Sequence, residues 1–257
     1  MADSDDRSAS SVDLPRLFIA ADSLRSGRLI LGAEDAGRIH RLSIGPGGKF
    51  IALDNSGWAF TVQIERANPE HAEGRILARR LVDEPRTKVS LYQGMLHPSD
   101  FRRLLREATR LGAVGFIPLI TQGSVLPVLG QDGLPEGERE WPRLVRDVAE
   151  SSGRGFKPSV ETPMLIDQAL DRAAGSGIPL LVHPSGEKVE KVLESRPFSI
   201  GLFLPPPSGF TDDELARADS RGVMRVAPPE GGPNPVRPAV SLMERVYALL
   251  EEPSEGA

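Results

Sequence analysis

The sequence predicts an α/β protein in two parts, a small β-barrel followed by a larger domain of alternating strands and helices. Up to residue 83, short β-prone segments are separated by glycine-rich turns such as 45–48. Beyond Pro85, apolar strands alternate with helical patterns, which indicates a parallel sheet with helices on both faces. This change in the pattern of predicted secondary structure indicates a domain boundary near residue 85.

The first part is predicted to span residues 14–84 as a closed barrel, after a disordered Ser- and Asp-rich tail at 1–13. One short helix, Glu34–Arg41, interrupts its strands. The predicted strands are Arg16–Ala20, Arg28–Leu31, Lys49–Asp54, Ala59–Glu65 and Arg75–Leu81.

The second part is predicted to span residues 86–252. Its clearest helix is Pro98–Leu111, where apolar residues recur at helical spacing. The predicted strands are Val89–Gln93, Val114–Ile120, Pro179–Val182, Ile200–Leu204 and Val223–Val226. The other predicted helices are Trp141–Ser152, Met164–Ala174, Glu187–Leu193, Asp212–Ala218 and Val240–Leu250. A polar, glycine-rich loop is predicted at 130–137.

Composition excludes several classes of function. The 257 residues include no cysteine, which excludes disulfides, thiolate catalysis and Cys-based zinc sites, and the four histidines are scattered, so no metal site is expected. No apolar run reaches the roughly 20 residues that a membrane helix needs, so we expect a cytoplasmic protein without membrane partners. With a net charge of −5, nucleic-acid binding would need a local basic patch.

The segment Ile200–Glu214, IGLFLPPPSGFTDDE, is a strand that runs through a loop into a helix capped by Thr211. In open α/β sheets, ligands bind beyond such strand ends, where backbone N–H groups hold them. Here Pro205, Pro206 and Pro207 remove three donors. The loop is therefore either a remodelled ligand site or a rigid surface loop.

Several stretches together resemble the RsmE family, the SPOUT-class methyltransferases of small-subunit ribosomal RNA. They are Ile44-Gly45-Pro46-Gly47 with Asp54 and Gly57, Gln93-Gly94 with the helix ending Ala108-Thr109-Arg110-Leu111-Gly112, Glu150–Arg154 with Pro158 and Val160, Leu181-Val182-His183-Pro184, and Leu204–Glu214. The last is similar to the family's GPEGGFSxxE motif. The resemblance covers roughly Pro15 to Leu250.

The resemblance implies that 14–84 is a PUA-like, RNA-binding barrel and that 86–252 is a trefoil-knotted SPOUT methyltransferase domain. It also implies dimerisation, S-adenosylmethionine (SAM) as cofactor, and a ribosomal RNA uracil as substrate. It also implies cofactor contacts at Val182, His183, Pro184, Leu204, Pro205, Ser208, Gly209, Val226, Ala227 and Gly232. For His183 the alternative is a strand-end histidine bonded to a nearby carbonyl.

The chain departs from the family at several of these motifs. Only Pro206 and Gly209 remain of GPEGG, and a longer loop, 228–238, replaces the next cofactor loop. Gly37 and Ser43 stand where the family usually has His and Arg. Arg237 aligns with the motif arginine and is the candidate catalytic residue, with a solvated helix-start arginine as the alternative.

Candidate RNA contacts are Arg41, Lys49, Arg102, Arg106, Arg110 and Arg154. Arg102, Arg106 and Arg110 form a stripe at i, i+4 and i+8 on one helix, and a solvated face is the alternative. Trp58 and Trp141 are interpreted as packing residues.

Two functions stay open. The first is an RsmE-type SAM-dependent methyltransferase acting on a uracil of ribosomal RNA. The second is a catalytically inactive homologue that binds RNA, ribosomal subunits or another small ligand as a dimer. Apolar residues of the last helix, Val240, Met243, Val246, Tyr247 and Leu250, are expected to suit a two-fold interface.

Overall fold

The chain divides into two units, Met1–Val82 and Asp83–Ala257. The computed structural model describes residues 14–124, 138–229 and 236–251. The predicted tail at 1–13 and the predicted loop at 130–137 lie outside the described residues, as does Gly232.

The first unit is a six-stranded sheet with one helix, α1 (Ala33–Arg41). Its strands are β1 (Arg16–Phe18), β2 (Leu24–Arg25), β3 (Arg28–Leu31), β4 (Lys49–Leu53), β5 (Trp58–Ala67) and β6 (Ala72–Leu81). The strand order is β1-β4-β5-β6-β3-β2, antiparallel except for β1 against β4. Because the described pairing ends at β1 and β2, the sheet is barrel-like without the hydrogen-bonded closure that the sequence predicts.

The interior of this unit follows from strand alternation. Leu29 and Leu31 of β3, Phe50 of β4 and Val62 of β5 point to one side and are fully buried with Ile39 of α1. The opposite face of these strands carries charged side chains and faces solvent.

The second unit is a parallel sheet with helices on both faces. Its strands are β7 (Lys88–Gly94), β8 (Gly115–Ile120), β9 (Ser159–Val160), β10 (Met164–Leu165), β11 (Ile178–Glu187), β12 (Ser199–Leu204) and β13 (Met224–Val226). Its helices are α2 (Pro98–Leu111), α3 (Trp141–Ser151), α4 (Ile166–Ala173), α5 (Val189–Val192), α6 (Asp212–Ser220) and α7 (Arg237–Glu251). The order is β10-β8-β7-β12-β11-β13, with β9 also paired to β8.

Helix α2 has the predicted bounds because its ends carry strong local signals. The His97 side chain caps its first turn, and Pro98 occupies the first position, where a missing N–H costs nothing. Gly112 ends it with φ +122°. Its apolar face packs against α3 and α7.

Two predicted helices begin later than expected because residues at their predicted starts pair with strands of the sheet. Met164 and Leu165 pair with Leu119 and Ile120, so α4 starts at Ile166. Glu187 pairs with Val226, so α5 starts at Val189. Hydrogen bonds to distant strands thus override local helical propensity.

The apolar face of α7 is part of the core of its own chain. Met243 and Val246 are fully buried, Tyr247 and Leu250 are 9% exposed, and Val240 packs against the same cluster. The prediction that this face suits a two-fold interface is therefore wrong.

A buried ion pair joins three segments of the second unit. The Nε of Arg154 lies 2.9 Å from both carboxylate oxygens of Glu84, and its Nη2 lies 2.8 Å from one of them. The guanidinium also donates to the carbonyls of Thr109, Gly112 and Ala113 at the end of α2. Because both side chains are under 8% exposed, this pair contradicts the prediction that Arg154 contacts RNA.

We expect Glu84→Ala to lower the free energy of unfolding by about 3–5 kcal/mol, because it leaves the Arg154 charge buried without its counter-ion. The matched control is Glu107→Ala, which removes the same charge from an exposed pair with Arg103 and should cost less than about 1 kcal/mol. Urea unfolding followed by circular dichroism measures both. Equal losses in the two variants would contradict the assignment.

Candidate functional site

Three neighbouring parallel strands end at one edge of the second sheet. Leu181 of β11 pairs with Phe203 of β12 on one side and with Arg225 of β13 on the other. The segments after β12, β11 and β13 therefore all leave the same edge. In an open α/β sheet this edge is where ligands bind.

The loop after β12 uses most of its backbone groups internally. The Gly209 N–H donates to the Pro206 carbonyl (2.9 Å), and the Gln93 amide donates to the Pro205 carbonyl (3.0 Å). With three prolines in a row, the Ser208 N–H is the one donor that positions 205–209 leave for a ligand in the described bonding pattern.

Two glycines from other segments make room for this loop. A Cβ on Gly94 would lie 2.5 Å from the Pro206 nitrogen, and a Cβ on Gly123 would lie 2.0 Å from the Ser208 hydroxyl. The Ser208 hydroxyl donates to the Gly123 carbonyl (3.0 Å). The proline loop is thus seated against the end of β7 and the turn after β8.

The start of α6 is also held against the turn after β8. Glu214 is 1% exposed, and its carboxylate accepts from the backbone N–H of Gln122 and of Thr211, both at 2.9 Å. The Thr211 hydroxyl in turn accepts from the Glu214 N–H, which completes a capping box. The turn after β8 and the start of α6 are therefore held together.

Beyond Val182, strand β11 bulges outward and returns to β13. Val182 and Glu187 both pair with Val226, and the Ala227 N–H donates to the Glu187 carbonyl (2.8 Å). Within the bulge, the His183 Nδ1 lies 2.8 Å from the Ser185 hydroxyl and accepts from the Ser185 N–H (3.2 Å). His183 therefore carries its ring proton on Nε2 when neutral, and its partner is Ser185 rather than a carbonyl.

A cleft of about 350 Å³ lies on the β13 side of the edge. Its volume falls within the roughly 300–1,000 Å³ of small-molecule sites. It is lined by residues 188–190 at the start of α5, by 227–229 after β13, and by Ser241, Leu242 and Arg245 of α7.

An ion pair crosses the wall of this cleft. The Arg245 guanidinium lies 2.7 Å (Nε) and 2.6 Å (Nη2) from Glu190. A hydrogen bond from its own backbone, and after it the bond from Arg245, hold the pKa of the Glu190 carboxyl below its usual range. The pair tethers α5 to α7.

The structure separates the described cofactor candidates into four groups. Leu204, Pro205, Ser208 and Gly209 belong to the seated proline loop, and Val182 and Val226 are buried in the sheet. His183 and Pro184 occupy the β11 bulge, and Ala227 lines the cleft. Gly232 lies outside the described residues.

The predicted catalytic and RNA-binding residues mostly lie at the surface. Arg237 is exposed at the first position of α7, and Arg41 is exposed at the end of α1. Lys49 is exposed at the start of β4, as are Arg106 and Arg110 on α2, where Arg102 is half-buried. Arg154 alone among these residues is buried, as described above.

Sequence reasoning missed Gln93, Gly123, Glu190 and Arg245 as site residues. Gln93 and Gly123 contact the proline loop across 112 and 85 positions, and Arg245 contacts Glu190 across 55. Local sequence carries no signal for contacts at such separations, although a glycine followed by serine, as at 123–124, does indicate a turn.

The sequence profile of the RNA methyltransferase domain family matches residues 83–227, more than half of the chain. The protein belongs to this family. A relative in it, the ribosomal RNA small subunit methyltransferase E of Synechocystis sp., is 26% identical over 253 residues, which cover 95% of this chain and 80% of the relative. The resemblance to the RsmE family is thus confirmed.

Two solved structures show the same fold. Ribosomal RNA small subunit methyltransferase E from Neisseria gonorrhoeae, bound to S-adenosyl methionine, superposes with a TM-score of 0.79 at 19% identity, covering 92% of this chain and 98% of that one. A putative methyltransferase from Legionella pneumophila, in complex with SAM, gives 0.79 at 20% identity with the same coverage. The predicted SPOUT-type α/β class after a barrel-like part is confirmed.

Within 14–124, 138–229 and 236–251, no helix is long and apolar enough to span a membrane. In the same ranges, no three His, Cys, Asp or Glu side chains are grouped to hold a metal ion.

We expect Gly94→Ala to destabilise the second unit by about 1–3 kcal/mol, because the new methyl group would overlap Pro206 backbone atoms that cannot rotate away. Gly175→Ala is the matched control, since the nearest atom to its Cβ is 3.9 Å away. Urea unfolding measures both. A Gly94→Ala variant as stable as the control would show that the proline loop is not seated on β7.

Proposed function

We propose that the protein is a SAM-dependent methyltransferase of RsmE type that methylates a uracil of ribosomal RNA. The observation that carries the proposal is the family match, which spans the strands β7, β8, β11, β12 and β13 that build the ligand edge. The Synechocystis relative supports the substrate, since its name specifies the small-subunit ribosomal RNA.

The reaction moves a methyl group from the sulfonium of SAM to a ring nitrogen of the base. When bound, SAM would supply an activated methyl group, and the ring N–H proton of the base would have to pass to solvent or to a basic group. The target base must leave its stack to reach the edge. In this proposal Arg237 contacts the base or its phosphate from the first turn of α7.

SAM fits the described residues only in part. The Ser208 N–H is the donor left on the proline loop, whereas a glycine-rich loop would offer several. Each buried hydrogen bond that is lost costs about 0.5–1.5 kcal/mol. On the other side of β11, the cleft beside Ala227 supplies space for a ligand. The acidic residue Glu190 and the basic residue Arg245 line it. These residues would hold the cofactor, with weaker affinity than a glycine-rich loop gives.

The second candidate function is a catalytically inactive homologue that binds RNA or ribosomal subunits. The specific observation in its favour is the proline loop, which removes donors from the cofactor edge while keeping the fold. In this reading the fold is retained for binding alone.

Helix α2 presents the RNA-binding stripe in both readings. Arg102, Arg106 and Arg110 lie on one flank of α2, and no described carboxylate forms an ion pair with them, whereas Arg103 on the next flank pairs with Glu107. Three unpaired like charges at i, i+4 spacing destabilise a helix slightly, which favours an external anion as their partner.

A homodimer is also part of this proposal, supported by the resemblance to the family now that the α7 face is assigned to the core. Light scattering of the purified protein gives the subunit number. The proposed location is the cytoplasm, because the enzyme would work where its ribosomal substrate is.

We expect calorimetric titration with SAM to show micromolar affinity, and Gly209→Trp to weaken it at least tenfold, about 1.4 kcal/mol, by filling the edge. Gly222→Trp is the matched control. Both glycines have positive φ, +83° and +74°, with nothing within 4 Å of a Cβ, but Gly222 lies in the turn after α6. No SAM binding by the wild type would favour the inactive homologue, and equal effects of the two variants would remove the loop from the cofactor site.

We expect the affinity for RNA to fall steeply with salt, and Arg102→Ala with Arg106→Ala to reduce the slope of log K against log salt concentration by about 1.4–1.8. The control, Arg143→Ala with Arg146→Ala, removes the same charge from residues near Asp147 on α3. Fluorescence anisotropy with labelled RNA at several salt concentrations measures the slopes. Salt-independent or absent binding would contradict both candidate functions.

A further inference from the structure

The tripeptide His-Pro-Ser occurs twice in the chain, and its histidine and serine are bonded in the same way in both copies. The His97 Nδ1 lies 2.9 Å from the Ser99 hydroxyl, and the His183 Nδ1 lies 2.8 Å from the Ser185 hydroxyl. At residue 97 this turn has a structural use, because His97 is the N-cap of α2. At residue 183 it begins no helix, since β11 continues to Glu187. The second copy therefore needs another explanation.

The second copy is extended by a charged pair from β13 and α6. The Arg225 Nη1 donates to the Ser185 hydroxyl oxygen (3.4 Å), and the Arg225 Nε donates to Asp219 (3.0 Å). A further bond from Nη2 makes the pair with Asp219 bidentate. For Ser99, no bond to an arginine or lysine is found in the described part of the chain. The β11 bulge, β13 and α6 thus meet at Ser185.

These bonds fix which nitrogen of His183 carries the ring proton. A guanidinium can only donate, so the Ser185 oxygen accepts from Arg225, and its own proton is left for the His183 Nδ1. The Ser185 N–H donates to the same nitrogen (3.2 Å). Because Nδ1 accepts both bonds, the proton of the neutral ring is on Nε2. His183 therefore offers a hydrogen-bond donor in this arrangement and not a base.

The bulge places this donor at the ligand edge. Leu181 is opposite Phe203 of β12, so His183, two residues further on, leaves the edge beside the start of the proline loop. The bulge is packed closely on β13, since a Cβ on Gly186 would lie 2.3 Å from the Val226 carbonyl carbon. His183 is half-buried, and its Nε2 has no bonding partner among the described residues. The Nε2–H is therefore available to a ligand.

We propose that His183 donates this hydrogen bond to a carbonyl oxygen of the target uracil, and that Ser185, Arg225 and Asp219 are its positioning residues. The inference rests on the proposed function for the substrate and deepens it by naming a catalytic contact to the base. The reacting ring nitrogen of uracil lies between two carbonyl oxygens, which gain negative charge as the ring N–H proton leaves. A fixed N–H donor stabilises that charge. The proton passes to solvent or to another group, because the His183 Nε2 already carries one.

Methyl transfer from tritiated SAM to small-subunit ribosomal RNA tests the role of His183 in the full-length protein. His183→Ala should lower kcat about 100-fold or more, with unchanged affinity for SAM by calorimetry. His183→Gln should stay within about tenfold of the wild type, because its amide N–H can replace the Nε2–H. Equal losses in the two variants would make His183 a base. A loss of SAM affinity with unchanged kcat would place it on the cofactor, and either result overturns the inference.

Arg225→Gln tests the positioning role. It should lower kcat about tenfold, and it should have no further effect in the His183→Ala background, because it acts only through His183. The matched control is Arg221→Gln, which removes an arginine of similar side-chain exposure (27% against 28%) from its pairs with Asp167 and Asp171 of α4. The control should leave kcat unchanged. Equal fold losses from Arg225→Gln in both backgrounds would show a merely structural role and overturn the positioning assignment.

The two copies of the tripeptide supply a second matched pair of variants. Ser185→Ala should lower kcat about tenfold, whereas Ser99→Ala, which removes the same hydroxyl from the first copy, should leave kcat unchanged. Equal effects of the two changes would overturn the role of Ser185. Circular dichroism of all variants checks that they fold.

Nuclear magnetic resonance of the ¹⁵N-labelled protein gives a readout that needs no activity. The chain has four histidines, so the ring signals of His183 are identified by their loss in His183→Gln. Under mildly alkaline conditions, where the ring is neutral, we expect the proton on Nε2. A proton on Nδ1 overturns this inference and leaves the proposed function intact. No methyl transfer by the wild type overturns both.

Discussion

The charge of Arg154 is buried beside Glu84, and three segments of the second unit depend on this pair. The guanidinium donates hydrogen bonds to the carbonyls of Thr109 and Gly112 at the end of α2. The Glu84 carboxylate also accepts a hydrogen bond from the Gly155 N–H (2.6 Å). Two buried charges are tolerated only when each is paired and fully hydrogen-bonded. The pair therefore fixes where the chain enters the second unit, where α2 ends and where α3 turns toward β9.

The candidate site combines a strand edge suited to ligands with a loop that has lost donors. Gly94 and Gly123 leave space for the three prolines, and the Gln93 amide donates to the Pro205 carbonyl. The loop is thus a well-packed structure rather than a damaged one. Binding of SAM at this edge depends on the remaining Ser208 N–H and on the cleft beside Ala227. Cofactor binding and catalysis are therefore separate questions for this family member.

Charge is distributed unevenly in a protein of net charge −5. Arg102, Arg106 and Arg110 form a line of cations on α2, spaced by successive helical turns. Acids elsewhere are used in local pairs, such as Glu187 with Lys191 and Asp171 with Arg221. Such a local line of cations is compatible with an acidic protein because salt screens charges beyond about 10 Å.

The sequence by itself determined the two-part order, most strands, helix α2 to the residue, the N-cap at Thr211 and the family, because periodicity, caps and turns act over a few residues. The tertiary structure alone decided that Arg154 is buried, that α7 packs into its own chain, and that β10 and the end of β11 are strands. It also decided which glycines leave space for the proline loop. All of these depend on contacts between residues far apart in the chain, and strand register sets them only when the sheet forms.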